Sequence, residues 1–183
     1  MVAFEPVPAV AALDPQLRAD LLRTWIDVTD AGGSVGFTAP APVAAVSGNL
    51  DAALARVVAG DDALGVLRSA DGVVGMGLLV DRGSVLCRHW RTVLRVMVHP
   101  HHQGGGAGLL LMQGLHELGR RLGLEQLQLT VRQGEGLERF YARLGYTVVG
   151  RHPGAVRVGP GDDRDEIMLV ARLEPAGRTA PRA

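Results

Sequence analysis

The residues best suited to chemistry are Val96-Met97-Val98-His99-Pro100-His101-His102-Gln103-Gly104-Gly105-Gly106-Ala107-Gly108, followed directly by Leu109-Leu110-Leu111-Met112. A β-branched run stops at a proline, a polar glycine-rich turn follows, and a leucine-rich segment opens. That is the pattern of a strand, a loop and a helix N-terminus. The first turn of a helix carries unpaired N–H groups at the positive end of its dipole, so such a junction binds anions. Glycines let a phosphate approach the backbone closely.

Spacing then narrows the choice of phosphate ligand. The dinucleotide fingerprint needs glycine at its first, third and sixth positions. Counted from Gly104 the sixth position is Leu109, and from Gly106 it is Leu111. A Walker-type loop needs a lysine, yet all 19 basic residues here are arginine. The same absence excludes Schiff-base chemistry on a lysine. What remains is Gln-x-x-Gly-x-Gly at Gln103, Gly106 and Gly108, preceded by Val98-His99-Pro100.

This stretch resembles motif A of the GCN5-related N-acetyltransferases (the GNAT superfamily), whose loop holds the pyrophosphate of acetyl-CoA. A second segment, Phe140-Tyr141-Ala142-Arg143-Leu144-Gly145-Tyr146, resembles that family's Phe-Tyr-x-x-x-Gly-Phe/Tyr signature. Two further segments, Gly32–Phe37 and Leu144–Gly150, are similar to the tabtoxin-resistance type of these enzymes. The resemblance implies acetyl-CoA as co-substrate, held by Gln103, Gly104, Gly105, Gly106, Ala107, Gly108 and Leu109. It implies Val98 as the backbone oxyanion donor, with Val96 and Met97 along the pantetheine. It also implies Tyr141 as the acid beside the leaving sulfur. A tyrosine titrates near 10 and so carries its proton at neutral pH. Read alone, Val96–Val98 would be an ordinary buried strand, and Tyr141 a ring packed beside Phe140.

Two departures from the family pattern matter. Relatives often place an asparagine about seven residues before the tyrosine, where this chain has Gly134. Many carry a glutamate on the fourth strand, whereas no carboxylate lies between Asp81 and Glu117. Thr92 and Thr130 are the polar residues of the fourth and fifth strands, and neither is a base. The base is then His89, His152, a water chain, or nothing at all if the amine arrives deprotonated. Phe37, Thr92 and Thr130 are the expected acceptor contacts, with the first two helices and the Gly154–Asp165 segment around them. A metal bound by His99, His101 and His102 is not expected, because adjacent histidines on a turn rarely face one ion.

Composition bounds the rest. A chain of 183 residues with 47% hydrophobic content suits one compact domain, placed at residues 1–174 with a flexible tail over 175–183. Zero net charge argues against nucleic acid or membrane surfaces as partners. The lone cysteine, Cys87, forms no internal disulfide, which fits a reducing cytoplasm. With no paired histidine in view, it also argues against a covalent acyl-enzyme route. A homodimer is compatible with the family habit.

The elements that must position these residues follow from periodicity and punctuation. Strands are expected at Val2–Val10, Leu64–Ser69, Val73–Val80, His89–Val98, Gln126–Val131, Thr147–Arg151 and Asp165–Arg172. Helices are expected from Asp14 to Asp27, from Ser47 or Asn49 to Val58, over Gly106–Leu122 and over Gly136–Leu144. Leu13, Leu17, Leu21, Leu22 and Trp25 make one apolar face, and Leu111, Leu115, Leu118 and Leu122 another. The turn Ala70-Asp71-Gly72 closes a hairpin. Glu135 and Arg139 are spaced as a helical pair, and Asp162–Glu166 reads as a solvated turn. The order β-α-α-β-β-β-α-β-α-β-β matches the α/β GNAT fold: a mixed, twisted sheet of about seven strands with helices on both faces. The function expected is acetyl transfer from acetyl-CoA to a primary amine of a small molecule or peptide, by direct attack in a ternary complex. The rival is a catalytically silent acyl-CoA sensor.

Overall fold

The computed structural model describes residues 1–70 and 72–174. Asp71 of the hairpin turn and the expected tail at 175–183 lie outside the described residues. The elements run β1 (Ala3–Val7), α1 (Pro15–Asp30), α2 (Val43–Val58), β2 (Ala63–Ser69), β3 (Gly72–Val80), β4 (Trp90–Val98), α3 (Ala107–Arg121), β5 (Gln126–Arg132), α4 (Leu137–Ala142), β6 (Thr147–Gly159) and β7 (Asp162–Arg172). The strands form one seven-stranded sheet in the order β1-β2-β3-β4-β5-β7-β6. Only β4 and β5 pair in parallel, and a parallel pair requires a crossover, which α3 supplies. The order and the mixed sheet are those expected. No helix among the described residues is long and apolar enough to cross a membrane.

Alternation along the strands divides the core in two. One face sends Leu64, Val66, Met76, Leu78 and Met97 against Leu17, Leu21 and Trp25 of α1 and Val46, Leu50 and Leu54 of α2. The other sends Leu67, Leu79, Val93, Leu127, Leu129, Ile167 and Leu169 against Leu111, Met112 and Leu115 of α3. On that second face α3 approaches closely, since a Cβ at Gly77 would collide with the Leu115 side chain, and one at Gly65 with the Phe4 ring beside it.

Several boundaries differ from expectation, each for a local reason. The first strand stops at Val7, because the carbonyl of Pro8 accepts from the N–H groups of Ala11 and Ala12 and turns Ala9–Leu13 into a 3₁₀ helix. Leu13 is therefore exposed, not on the face of α1. Helix α1 starts as expected, with Asp14 accepting from the Gln16 N–H and Pro15 in the first turn. Helix α2 starts a turn early, directly after Pro42 and with no side-chain cap to mark it. Leu122 is the C-cap of α3 and is exposed. His116 is buried on α3 in its place. Glu135 precedes α4 and pairs with Arg132, not with Arg139.

The largest correction concerns the end of the chain. Asp162–Glu166 is strand, not turn, and β6 and β7 form one long hairpin. Cross-strand pairs hold it: both oxygens of Asp163 accept from Arg157, at 2.6 and 2.7 Å, and Asp165 accepts from Arg151 at 2.8 Å. Opposite charges facing each other across a ladder stabilise it.

His116 makes stability depend on pH. Its Nε2 lies 3.2 Å from the Tyr146 hydroxyl, and the rings pack at 5.4 Å. Burial, then the charge of Arg120, lowers its pKa from 6.5 to about 4. The unfolded chain thus takes up a proton before the folded one does. The contribution is full above pH 6.5 and is lost as pH falls toward 4, a change of about 3 kcal/mol. Denaturant midpoints at pH 7.5 and 4.5 should differ more in the parent protein than in His116→Gln. Equal differences would remove His116 as the cause.

Candidate active site

Strands β4 and β5 pair only where Trp90, Arg91 and Thr92 meet Gln126, Leu127 and Gln128. Beyond Thr92 they part, although β4 stays paired to β3 as far as Val98 and β5 stays paired to β7 as far as Arg132. A bulge accompanies the parting. Leu94 faces Leu78 and Met97 faces Met76, so Arg95 and Val96 share the position opposite Gly77. A bulge of this kind bends its strand and raises its local twist. Arg95 occupies it with φ of 54°, the left-handed region that a residue with a side chain seldom enters.

The parting opens a cleft of about 700 Å³. Val93–Val96 and Leu129–Arg132 form its walls, the Ser34–Pro42 stretch and the β6–β7 hairpin at Val156–Val158 reach over it, and Tyr141 and Glu166 border it. Arg132 and Ser34 both donate to Oε1 of Glu135, so the α1–α2 connection is tied to the β5–α4 connection.

After Val98 the chain makes a 3₁₀ turn at Pro100–His102 and enters the glycine loop. Gly104 and Gly106 have φ of 81° and 84°, and Gly106 caps α3. Nothing lies within 4 Å of where a Cβ would stand at Gly104, Gly105 or Gly106. That bare cradle at a helix N-terminus fits a pyrophosphate. Gln103, Gly105, Gly106 and Ala107 line a depression of about 460 Å³ with His101, His102 and Leu110. The Gln103 side chain turns back on the loop, its Nε2 donating to the Val98 carbonyl at 2.8 Å. His99 accepts from the His101 N–H on Nδ1, at 3.3 Å, which leaves Nε2–H to donate to Asp27 at 3.1 Å.

The structure brings Val96, Phe37, Thr130 and Tyr141 together in the cleft. It places Thr92, Met97 and Val98 elsewhere. Thr92 donates to Gln128 at 3.0 Å, Met97 is buried against α1 and α2, and Val98 pairs with Gly75 and packs toward α3. Gly108 backs onto Phe140, and Leu109 is exposed. His89 and His152 are exposed and line no part of the cleft. Gly134 has φ of 95°, a conformation that disfavours the asparagine of the family pattern.

Tyr141 is buried in an aromatic group with Phe140 and Tyr146, at 5.0 and 5.5 Å between ring centres. Burial, then the charge of Glu135, pushes its pKa up to about 12. Glu166 and Arg95 escaped the sequence reading. Thr130 Oγ1 donates to Glu166 Oε1 at 2.9 Å. The signal for Glu166 was its alternation with buried Ile167 and Leu169, which puts it on the same face as Thr130. Arg95 had no sequence signal, because its exposure to the cleft depends on the bulge.

Gly106→Ala should cost about 1–2 kcal/mol from its left-handed backbone alone. Gly105→Ala, at a neighbouring open position without positive φ, should cost well under that. Denaturant midpoints of the two variants check this, and equal losses would sink the assignment of strain to Gly106.

An acetyltransferase (GNAT) domain model matches residues 41–155. Solved structures share the fold at low identity. A protein assigned as an acetyltransferase of the GNAT family from Desulfovibrio desulfuricans is 19% identical with a TM-score of 0.73, covering 95% of this chain and 100% of that one. A protein assigned as an acetyltransferase from Salmonella typhimurium, solved with its cofactor acetyl-CoA, is 21% identical with a TM-score of 0.72, covering 100% and 98%. The ribosomal-protein-S18-alanine N-acetyltransferase of Escherichia coli is 14% identical with a TM-score of 0.68 and full coverage of both chains, 100% and 100%. The resemblance to the tabtoxin-resistance type is minor. Nourseothricin acetyltransferase is 24% identical with a TM-score of 0.54, over 62% of this chain and 66% of that one. With a glycine cradle at a helix N-terminus, a sheet parted beside it and a family model matched across both, this chain belongs to the GNAT acetyltransferase family.

Proposed function

We propose that the protein moves an acetyl group from acetyl-CoA to an amine of a small molecule or peptide, by direct attack while both occupy the cleft. The observation that carries this reading is the opening between β4 and β5, whose β4 wall runs on into the glycine loop. Acetyl-CoA supplies the acyl group as a thioester. The amides of Gly104–Leu109 and the dipole of α3 suit its pyrophosphate. The edge of Val93–Val96 that faces β5 has no strand partner there, so its backbone groups are free for the amides of the pantetheine arm. Unpaired backbone groups cost about 1–3 kcal/mol each when buried, which favours a ligand or water along this edge.

The oxyanion donor belongs on the same edge. The Val96 amide suits it better than Val98, which lies beyond the cleft; such a donor is worth about 3 kcal/mol. Tyr141 holds its proton at neutral pH, because burial pushes it up to about 12. A thiol titrates near 8.5, so full transfer from such a phenol runs uphill. Tyr141 is therefore the proton-bearing hydroxyl placed to hydrogen-bond the departing sulfur. Glu166 takes the place of the missing fourth-strand carboxylate. Thr130 donates to one of its oxygens, and its cross-strand neighbours Arg132 and His152 form no salt bridge with it among the described residues. It is therefore open to an amine N–H.

Acetyl-CoA at 100 times its Kd should raise stability by about 2.7 kcal/mol, with ATP and NAD giving no rise. Thermal unfolding reads this, and no shift would overturn the reading. CoA-thiol release with a panel of amines separates an enzyme from a silent sensor. Tyr141→Phe and Glu166→Gln should each lower kcat/KM about 10²-fold with the acetyl-CoA shift retained. Unchanged turnover in either variant would remove that residue from the mechanism.

A further inference from the structure

Three arginines border the cleft: Arg95, Arg132 and Arg157. Arg132 is matched by Glu135, and Arg157 by Asp163. Arg95 meets no carboxylate among the described residues and donates none of its N–H groups to a described acceptor. Its guanidinium instead lies over the Trp25 ring, 5.1 Å from the ring centre. Trp25 is buried and its Nε1 donates to the Val35 carbonyl at 3.0 Å, so the platform is fixed. Gly36, with φ of 100°, makes room, because a Cβ there would overlap the guanidinium.

This arrangement leaves a charge without a counter-ion. Burial alone lowers the Arg95 pKa, with no carboxylate to raise it back. Arg95 is half-buried; stacking on an aromatic ring offsets part of the cost of taking its guanidinium partly out of water, and no carboxylate offsets the rest. A planar guanidinium presents a fork of donors that matches a carboxylate in two parallel hydrogen bonds. Among the carboxylates of the cleft, Glu135 is neutralised by Arg132, while Glu166, with Arg132 and His152 opposite it in the sheet, makes a salt bridge with neither among the described residues. The described cleft therefore presents one unmatched positive group and one unmatched negative group.

We propose that the acceptor carries a carboxylate as well as its amine, as a free amino acid does, and that Arg95 binds that carboxylate. The inference rests on the acetyl-transfer reading above, with Glu166 on the amine. Arg95 lies with Trp25 on the α1 face of the sheet, opposite α3 and its glycine loop. It is thus set apart from the phosphates of acetyl-CoA and available to the second substrate. Trp25, Phe37 and Gly36 are specificity determinants at one remove, since they fix where the guanidinium sits.

Matched acceptors test this. The standard α-amino acids as a mixture, the same set as primary amides, and the same set decarboxylated to amines are compared by CoA-thiol release. The amino acids should exceed both other sets by about a hundredfold in kcat/KM. Arg95→Gln should raise KM for the best amino acid far more than it lowers kcat, and so narrow that ratio. Arg95→Lys, which keeps the charge but not the fork, should fall between. The acetyl-CoA thermal shift should persist in both variants, which shows that they fold and keep the coenzyme site. Equal rates across the three sets, a preference for amides or amines, or an Arg95→Gln loss spread evenly over all sets would overturn the proposal. Loss of the acetyl-CoA shift in Arg95→Gln would reassign Arg95 to the coenzyme. Should acetyl-CoA bind while none of the three sets is acetylated, the carboxylate inference falls and the coenzyme site stands. Absence of the shift in the parent protein would overturn the acetyl-transfer reading itself.

Discussion

Everything at the candidate site depends on two parallel strands that stop pairing after Thr92 and Gln128. Each is held from outside, β4 by β3 and β5 by β7, so neither can swing over to close the gap. The bulge at Arg95 and Val96 gives β4 one residue more than β3 opposite Gly77, and a strand with an extra residue bends and twists away. The sheet thereby keeps its stability on both flanks and gives up hydrogen bonds only in the middle. Backbone groups that would otherwise satisfy a neighbour are left to a ligand.

The same bulge decides charge. It turns the Arg95 backbone into the left-handed region and puts its side chain on the α1 face over Trp25. On the far wall, pairing of β5 with β7 puts Thr130 beside Glu166. The Arg132–Glu135–Ser34 contacts tie the loops around the cleft and neutralise one another. An opening lined partly by Val93, Val96, Leu129 and Val131 thus also holds charged groups, of which Arg132 and Glu135 are paired and Arg95 has no carboxylate among the described residues.

Much of this was legible in the sequence. The strand–loop–helix junction at Val96–Met112 identified itself, because glycine spacing, a proline stop and a leucine face are all local signals. The cap at Asp14-Pro15 was equally local. Local signals misled where side chains pair across strands. Asp162–Glu166 looked like a solvated acidic turn, yet Arg151 and Arg157 sit opposite it and make it strand. His116 stands within a leucine helix, and only the placement of Tyr146 beside it explains its burial.

By itself, the sequence determined the order of elements and the glycine loop at Gly104–Ala107 that opens α3, while the candidacy of Tyr141 came from its resemblance to the family signature. Those properties depend on residues close together in the chain, through helix-terminus N–H groups, glycine backbone freedom and apolar period. Tertiary structure decided which backbone edge is free, where Arg95 points and that Glu166 faces the cleft. Each of those depends on strand register between segments distant in sequence, and a slip of one residue in register reverses the face on which every side chain stands.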